Sequence, residues 1–209
     1  MMIAAAAAFT SYMIGAIPFS YLAGKLAKGI DLREHGSGNL GASNTFRILG
    51  PAVAIPVLIL DITKGFLPVF FAGRLMIEGA PDPLTLSIVA MFFAILGHLF
   101  SPYVRFSGGK GIATSAGAFL ALAPWAFLGA FVVFAIVFAS ARIVSLASLS
   151  AAVILPVFVF LLTRTGVAHS HWSVLAVSIT IMIIVIIKHR SNIKRLVAGT
   201  EPRLARKKG

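Results

Sequence analysis

The chain has 209 residues, 59% of them apolar and only 11% charged, with a mean hydropathy of +0.99. A soluble domain of this size cannot bury that much apolar surface, so the composition places the chain in a bilayer. The absence of cysteine excludes disulfides, thiolate nucleophiles and Cys-ligated metal sites, and the net charge of +12 flanks apolar runs, as positive-inside topology requires and nucleic-acid binding does not.

Residues 1–8 carry no basic side chain and the apolar stretch runs on to Ala23, so the first element is predicted as a retained helix over 2–23. A hydrocarbon core of about 30 Å needs roughly 20 apolar residues per helix, a length met again at 51–73, 84–104, 143–163 and 171–187. Three polar segments, 24–50, 105–111 and 188–209, hold most of the Lys and Arg and belong on the cytoplasmic side, so an even number of crossings separates each pair. A single crossing over 112–141 would leave the tail outside. Pro124 restores the parity, because proline ends a helix interior and divides this stretch into 112–122 and 125–140.

The predicted fold is therefore all-α, a polytopic transmembrane helix bundle of seven spans, with the N-terminus outside and the C-terminus cytoplasmic, in one domain over 1–209. Lys25, Lys28, Arg33, Arg47, Arg105, Lys110, Arg142 and the basic tail then face the cytoplasm, and only Arg74 and Arg164 face outward. At 1.5 Å per residue the 112–122 helix is only about 17 Å long, short for a span. A five-span variant with 112–141 as a re-entrant hairpin keeps the same parity.

Three of the polar segments suit anions. Gly36-Ser37-Gly38-Asn39-Leu40-Gly41-Ala42-Ser43-Asn44-Thr45-Phe46-Arg47 combines glycines that let backbone N–H groups approach an anion with neutral donors and a guanidinium. The same residues also suit a Gly/Asn-rich turn with helix caps at Ser43 or Asn44. Ser107-Gly108-Gly109-Lys110-Gly111 opens straight into a helix, placing the positive end of its dipole beside an ammonium. It is not a Walker A loop, and Lys110 alone also reads as a topology charge. In the tail, His189, Asn192 and Arg195 fall three apart and share a face if the last helix runs on through Leu196, while Arg190, Lys194 and Arg206-Lys207-Lys208 read as charges for anionic lipid. Asp61 and Lys64 lie three apart within a span and are predicted to pair, as a structural pair or as part of the site. Arg142, Ser145 and Ser148 share the same spacing, and the two hydroxyls suit either a polar cavity or helix packing. His98, His169 and His171 have no metal partners in the sequence and are assigned no site.

Gly-Ser-Gly-Asn-Leu-Gly-Ala-Ser-Asn-Thr-Phe-Arg at 36–47, Ser-Gly-Gly-Lys-Gly-Ile-Ala-Thr at 107–114 and His-Arg-x-Asn-Ile-x-Arg-Leu-x-x-Gly-Thr-Glu-Pro at 189–202 resemble, in order, the three signatures of the acyl-phosphate-dependent glycerol-3-phosphate acyltransferases, the PlsY family. The resemblance spans the chain and implies a seven-helix enzyme of the bacterial inner (cytoplasmic) membrane with its active site facing the cytoplasm. It implies transfer of an acyl group from acyl phosphate to the 1-hydroxyl of sn-glycerol 3-phosphate, giving 1-acylglycerol 3-phosphate and phosphate in phospholipid synthesis.

The same resemblance implies that Ser37, Asn39, Ser43, Asn44, Arg47 and the 108–111 loop bind phosphate, that Lys110, Ser148, His189 and Asn192 contact the phosphorylated acceptor, and that Glu201 braces the tail. Ser37, Arg47, Lys110, His189 and Asn192 are predicted to act on the reacting groups. Gly36, Gly38, Asn39, Ser43, Asn44, Gly108, Gly109, Gly111, Ser145, Ser148, Arg195 and Glu201 are predicted to complete substrate binding.

The chemistry agrees: acyl phosphate is already activated, so neither cofactor nor metal is expected, and the site aligns two anions while stabilising the charge that develops between them. The other common glycerolipid acyltransferase pattern puts an Asp five residues after a His, and no His here is followed so. Ser37 has no His–acid partner in the sequence, which favours direct transfer over an acyl-enzyme. Expected partners are the two substrates and the bilayer, with no nucleic acid, and the expected state is a monomer. The alternative is a transporter of phosphorylated metabolites, which would use the same anion loops but is expected to show an internal repeat, and none is found.

Overall fold

The computed structural model describes residues 1–166 and 171–204, and every regular element among them is helical. His169 and Arg206-Lys207-Lys208 lie outside the described residues. The chain divides into two compact units, 1–122 and 123–209.

The first unit holds α1 (Met2–Ala16), α2 (Phe19–Lys28), α3 (Ala42–Leu49), α4 (Pro51–Ala72), α5 (Pro83–Leu99) and α6 (Ile112–Leu122), with single 3₁₀ turns at Leu32–Glu34 and Pro102–Val104. The expected first span is present as one apolar segment over Met2–Lys28, built of two helices where a single helix over 2–23 was expected. Pro18 forces Ile17 into extended backbone (φ −56°, ψ 117°), α1 stops at Ala16, and α2 starts again at Phe19. Pro51 and Pro83 open α4 and α5, where their fixed φ suits a first helical turn. The Asp82 carboxylate caps α5 by accepting the Thr85 N–H at 3.0 Å.

Helices in this unit approach through small residues, as helices must where lipid offers no hydrophobic drive to associate. A side chain at Gly15 or Gly97 would collide with the backbone of the facing helix in the α1–α5 pair, and one at Gly65 or Gly117 would do the same between α4 and α6.

The second unit holds α7 (Pro124–Ala141), α8 (Val144–Thr165), α9 (Trp172–Lys188) and α10 (Arg190–Val197). The break expected at Pro124 is present, with α6 ending at Leu122 and Pro124 opening α7. α7 carries no charge and a single hydroxyl, Ser140, yet buries only Ala126 and Ala130, leaving Trp125, Phe131 and Ile136 more than half exposed. That inversion of a water-soluble exterior fits a helix whose solvent is lipid. The last span does not run straight on through Leu196 but bends by 62° at His189, separating α10 from α9.

By length and composition, five helical segments can cross a membrane, or six if the bent α9–α10 pair is one span, while α6 is a shorter apolar helix. Its 11 residues extend for about 16–17 Å, half a hydrocarbon core.

Candidate active site

In the first unit the 31–47 loop is assembled from the inside by two side chains. Asp31 accepts the Arg33 N–H at 3.0 Å and pairs with the Arg33 guanidinium at 2.6 Å. That hydrogen bond holds the Asp31 carboxyl below its ordinary range against the opposing effect of desolvation. The guanidinium also donates to the Val104 carbonyl at 3.0 Å and lies 5.4 Å from the centre of the Tyr21 ring. Arg33 thus joins this loop to the turn that precedes the second glycine loop.

Asn44, 1% exposed, is the second organiser. Its Oδ1 accepts the Ser37 N–H at 2.9 Å, and its Nδ2 donates to the carbonyls of Leu32 at 3.1 Å and His35 at 3.0 Å. Both amide hydrogens are therefore committed to loop backbone, and Asn44, expected among the phosphate ligands, is placed as a builder of the loop. Gly36 and Gly38 take φ of +62° and +68°, and a side chain at Gly36 would strike the Asn44 amide. On this frame Ser37 and Arg47 are exposed, and Asn39 and Ser43 are half-buried.

The second glycine loop packs against the first. The Gly109 N–H donates to the His98 carbonyl at 3.1 Å, and a side chain at Gly109 would collide with the Leu40 carbonyl and the His98 ring. Leu32, Leu40 and Val104, all buried, form a shared apolar core beneath both loops. Gly111 (φ +84°) turns the chain into α6, leaving Lys110 half-buried at the mouth of that helix. Two anion-suited segments about 70 residues apart in the sequence are thereby brought together, as their separate readings could not establish.

A small pocket beside this junction is lined by Ser20, Asp61, Lys64, His98, Gly108 and Gly109, among others. The expected Asp61–Lys64 pair forms at 2.6 Å with both side chains at most 3% exposed. The Lys64 ammonium also donates at 2.8 Å to the Ile17 carbonyl at the α1–α2 break, which accepts the Phe19 N–H as well, and sits 5.3 Å from the centre of the Phe19 ring. His98 Nδ1 lies 3.9 Å from the Asp61 carboxylate. Neither His98 nor Ser20 was marked by the sequence. Each meets the cluster from a different helix, so no spacing along the chain announces it.

The second unit gathers its polar residues on Glu201. The carboxylate accepts from Ser145 Oγ at 2.7 Å, Asn192 Nδ2 at 2.6 Å and Arg195 Nε at 2.7 Å, and nearby the Leu204 N–H donates to the Arg142 carbonyl at 2.9 Å. The expected brace of the tail is thus present, and it engages Ser145, Asn192 and Arg195 together. Ser148 is buried one turn along α8. His189 is buried with Nδ1 2.8 Å from the Val185 carbonyl. A carbonyl only accepts, so Nδ1 carries the hydrogen. Among the described residues no group of three or more His, Cys, Asp or Glu could hold a metal ion.

A family profile described as glycerol-3-phosphate acyltransferase matches residues 5–199. The chain belongs to the glycerol-3-phosphate acyltransferase family. A glycerol-3-phosphate acyltransferase of Fusobacterium nucleatum is 42% identical over 191 residues, covering 91% of this chain and 93% of that protein. One from Trichlorobacter lovleyi is 45% identical over 191 residues, covering 91% and 92%. A crystal structure of PlsY (YgiH), an integral membrane glycerol 3-phosphate acyltransferase, in its glycerol 3-phosphate form superposes with a TM-score of 0.87 at 35% identity, over 97% of this chain and 96% of that one. The lysophosphatidic acid form gives 0.84 at 34% identity.

The Glu201 cluster makes a pH prediction. Burial acts to raise the carboxyl, but the Ser145, Asn192 and Arg195 bonds outweigh it and hold it below the ordinary value of 4.5. A depressed carboxyl contributes stability that is full above its unfolded value and is lost as pH falls through its folded one. A nitroxide on Arg203→Cys should therefore be immobile at neutral pH and become mobile only below about 4.5, the unfolded carboxyl range. Adding Glu201→Gln should mobilise it at every pH. A probe equally immobile in both proteins at pH 7 would show that the carboxylate does not hold the tail.

Proposed function

We propose that this chain transfers an acyl group from acyl phosphate to sn-glycerol 3-phosphate. The observation that carries the reading is the joining of two glycine-rich, cation-bearing loops over one buried core, in a chain whose family relatives are named for acylating glycerol 3-phosphate. Such loops suit a phosphorylated donor better than a thioester.

In the proposed reaction the 1-hydroxyl oxygen of glycerol 3-phosphate bonds to the acyl carbon. The bond from that carbon to the phosphate oxygen breaks, its electron pair leaves with phosphate, and the hydroxyl proton passes to a substrate phosphate oxygen. Atoms and charge balance without cofactor or metal. Ser37, Arg47 and the backbone around Gly36, Gly38, Asn39 and Ser43 neutralise one phosphate together with Gly108, Gly109 and Gly111. Lys110 supplies a compact ammonium to charge that develops as phosphate departs. Ser148, His189 and Asn192 serve the acceptor, and Ser145, Arg195 and Glu201 keep Asn192 in place.

The protein we envisage works as a monomer in the bacterial inner membrane. It crosses seven times, with its N-terminus outside and with its C-terminus and active site facing the cytoplasm. The short α6 accounts for one of those crossings, which positive-inside parity requires.

Purified protein should form 1-acylglycerol 3-phosphate from palmitoyl phosphate and glycerol 3-phosphate without added nucleotide or metal, and palmitoyl-CoA should not replace the donor. Lys110→Ala should lower turnover by about 10²–10³-fold, the effect of losing one donor to a developing anion. Product from acyl-CoA alone would refute the donor assignment. For topology, single cysteines replacing Ser37, Ser107 and Ser191 should react with an impermeant maleimide only when the cytoplasmic face is open. Labelling of position 191 from outside would remove one crossing.

A further inference from the structure

Ser20 lies in the first turn of α2, is 2% exposed, and its hydroxyl has no hydrogen-bond partner among the described residues. Buried hydroxyls are nearly always paired, because one stripped of water and given nothing in return costs stability. A seryl hydroxyl usually escapes that cost within a helix by bonding a backbone carbonyl, as Ser87 does to Pro83 at 2.9 Å. Ser101, which shares the small pocket with Ser20, is likewise satisfied, donating to the Ala16 carbonyl at 2.6 Å. Ser20 is the exception among the pocket's hydroxyls; the Asp61 Oδ1 in the same wall also makes no hydrogen bond but is ion-paired with Lys64.

The surroundings of Ser20 say what its hydroxyl would meet. The pocket wall brings it together with Lys64 and with Gly108 and Gly109, the backbone of the second phosphate-suited loop. The Phe19 N–H at the start of α2 is taken by the Ile17 carbonyl at 3.2 Å, while the next amides have no carbonyl within their own helix to bond, so its N-terminal end adds positive potential. Asp61, the one acid in the wall, is neutralised by Lys64 at 2.6 Å. Donors and positive potential therefore dominate, and they suit an oxygen carrying negative charge.

We infer that Ser20 is a further substrate-contacting residue, whose hydroxyl donates to a negatively polarised oxygen of the acyl phosphate held at the Gly108–Gly109 turn. The inference rests on the acyl-transfer reading given above. That oxygen belongs either to the phosphoryl group or to the acyl carbonyl, and the two are separable by kinetics. A phosphoryl contact already made in the ground state acts on the Michaelis constant, whereas a carbonyl contact strengthens as the oxyanion forms and acts on turnover.

The test compares wild type, Ser20→Ala and Ser87→Ala in detergent, measuring the thermal midpoint and the kinetics with palmitoyl phosphate and glycerol 3-phosphate. Ser20→Ala should keep or raise the midpoint while lowering kcat/KM for palmitoyl phosphate by about 10–100-fold, the scale of one lost polar contact to a substrate. The Michaelis constant for glycerol 3-phosphate should stay unchanged. A raised Michaelis constant for palmitoyl phosphate assigns the contact to the phosphoryl oxygen, and lowered turnover assigns it to the carbonyl. Ser87→Ala should do the opposite, lowering the midpoint and leaving the kinetics intact. Wild-type kinetics in Ser20→Ala would overturn the inference, and so would a loss of activity that follows a lowered midpoint. Wild type that makes no product from palmitoyl phosphate would defeat the acyl-transfer reading itself, and the Ser20 contact with it.

Discussion

The buried Asn44 carboxamide is the interaction on which the candidate site depends. Its three bonds reach the backbone of Leu32, His35 and Ser37, fixing both sides of a loop that has no strand or long helix of its own. Inside a protein each such bond is electrostatically stronger than in water, and each partner left unmade is correspondingly costly. The loop is held open by this amide, so the Ser37 hydroxyl and the Arg47 guanidinium need not be spent on holding it. Both are exposed, and both are free of the structural work that Asn44 performs. Pre-organisation of this kind lets donors meet an anion without first paying to order the chain.

Around that frame, the membrane sets the terms. Lipid gives helices no apolar incentive to associate, so the first unit closes on glycines at α1–α5 and α4–α6, where backbone meets backbone. A charge at the centre of a spanning helix costs about 2.5–3.5 kcal/mol on insertion scales, which explains why Asp61 and Lys64 occur one turn apart and pair. The same Lys64 donates to the Ile17 carbonyl where Pro18 interrupts the first helix. The proline break and the buried ion pair are in this sense one feature. It places the start of α2 in the wall of a pocket next to the glycine loops, where an unbroken helix would have presented no terminus.

Much of this was legible in the sequence because it follows from local rules. Hydrophobic length marked the helices, Pro124 marked the break between α6 and α7, and the i, i+3 spacing announced the Asp61–Lys64 pair. What escaped was whatever depends on contact between distant segments. The interruption at Pro18 was hidden by an apolar run continuous across it. The bend at His189 between α9 and α10 leaves no mark in a run that reads as one continuous helix. Asn44 read as a ligand because an amide beside glycines suits phosphate, and only the geometry shows both its hydrogens turned inward. His98 stood alone in the sequence and proved to be the surface against which Gly108 and Gly109 close.

The central claim is that the first glycine loop is a phosphate cradle built by Asn44. The most direct test is the affinity of folded wild type and folded Asn44→Ala for inorganic phosphate, measured by isothermal titration in detergent. The account predicts that Asn44→Ala binds at least about tenfold more weakly, the equivalent of roughly 1.4 kcal/mol, although its side chain never touches the ligand. Equal affinity in the two proteins would contradict it, because the loop would then bind phosphate without the amide that is claimed to shape it.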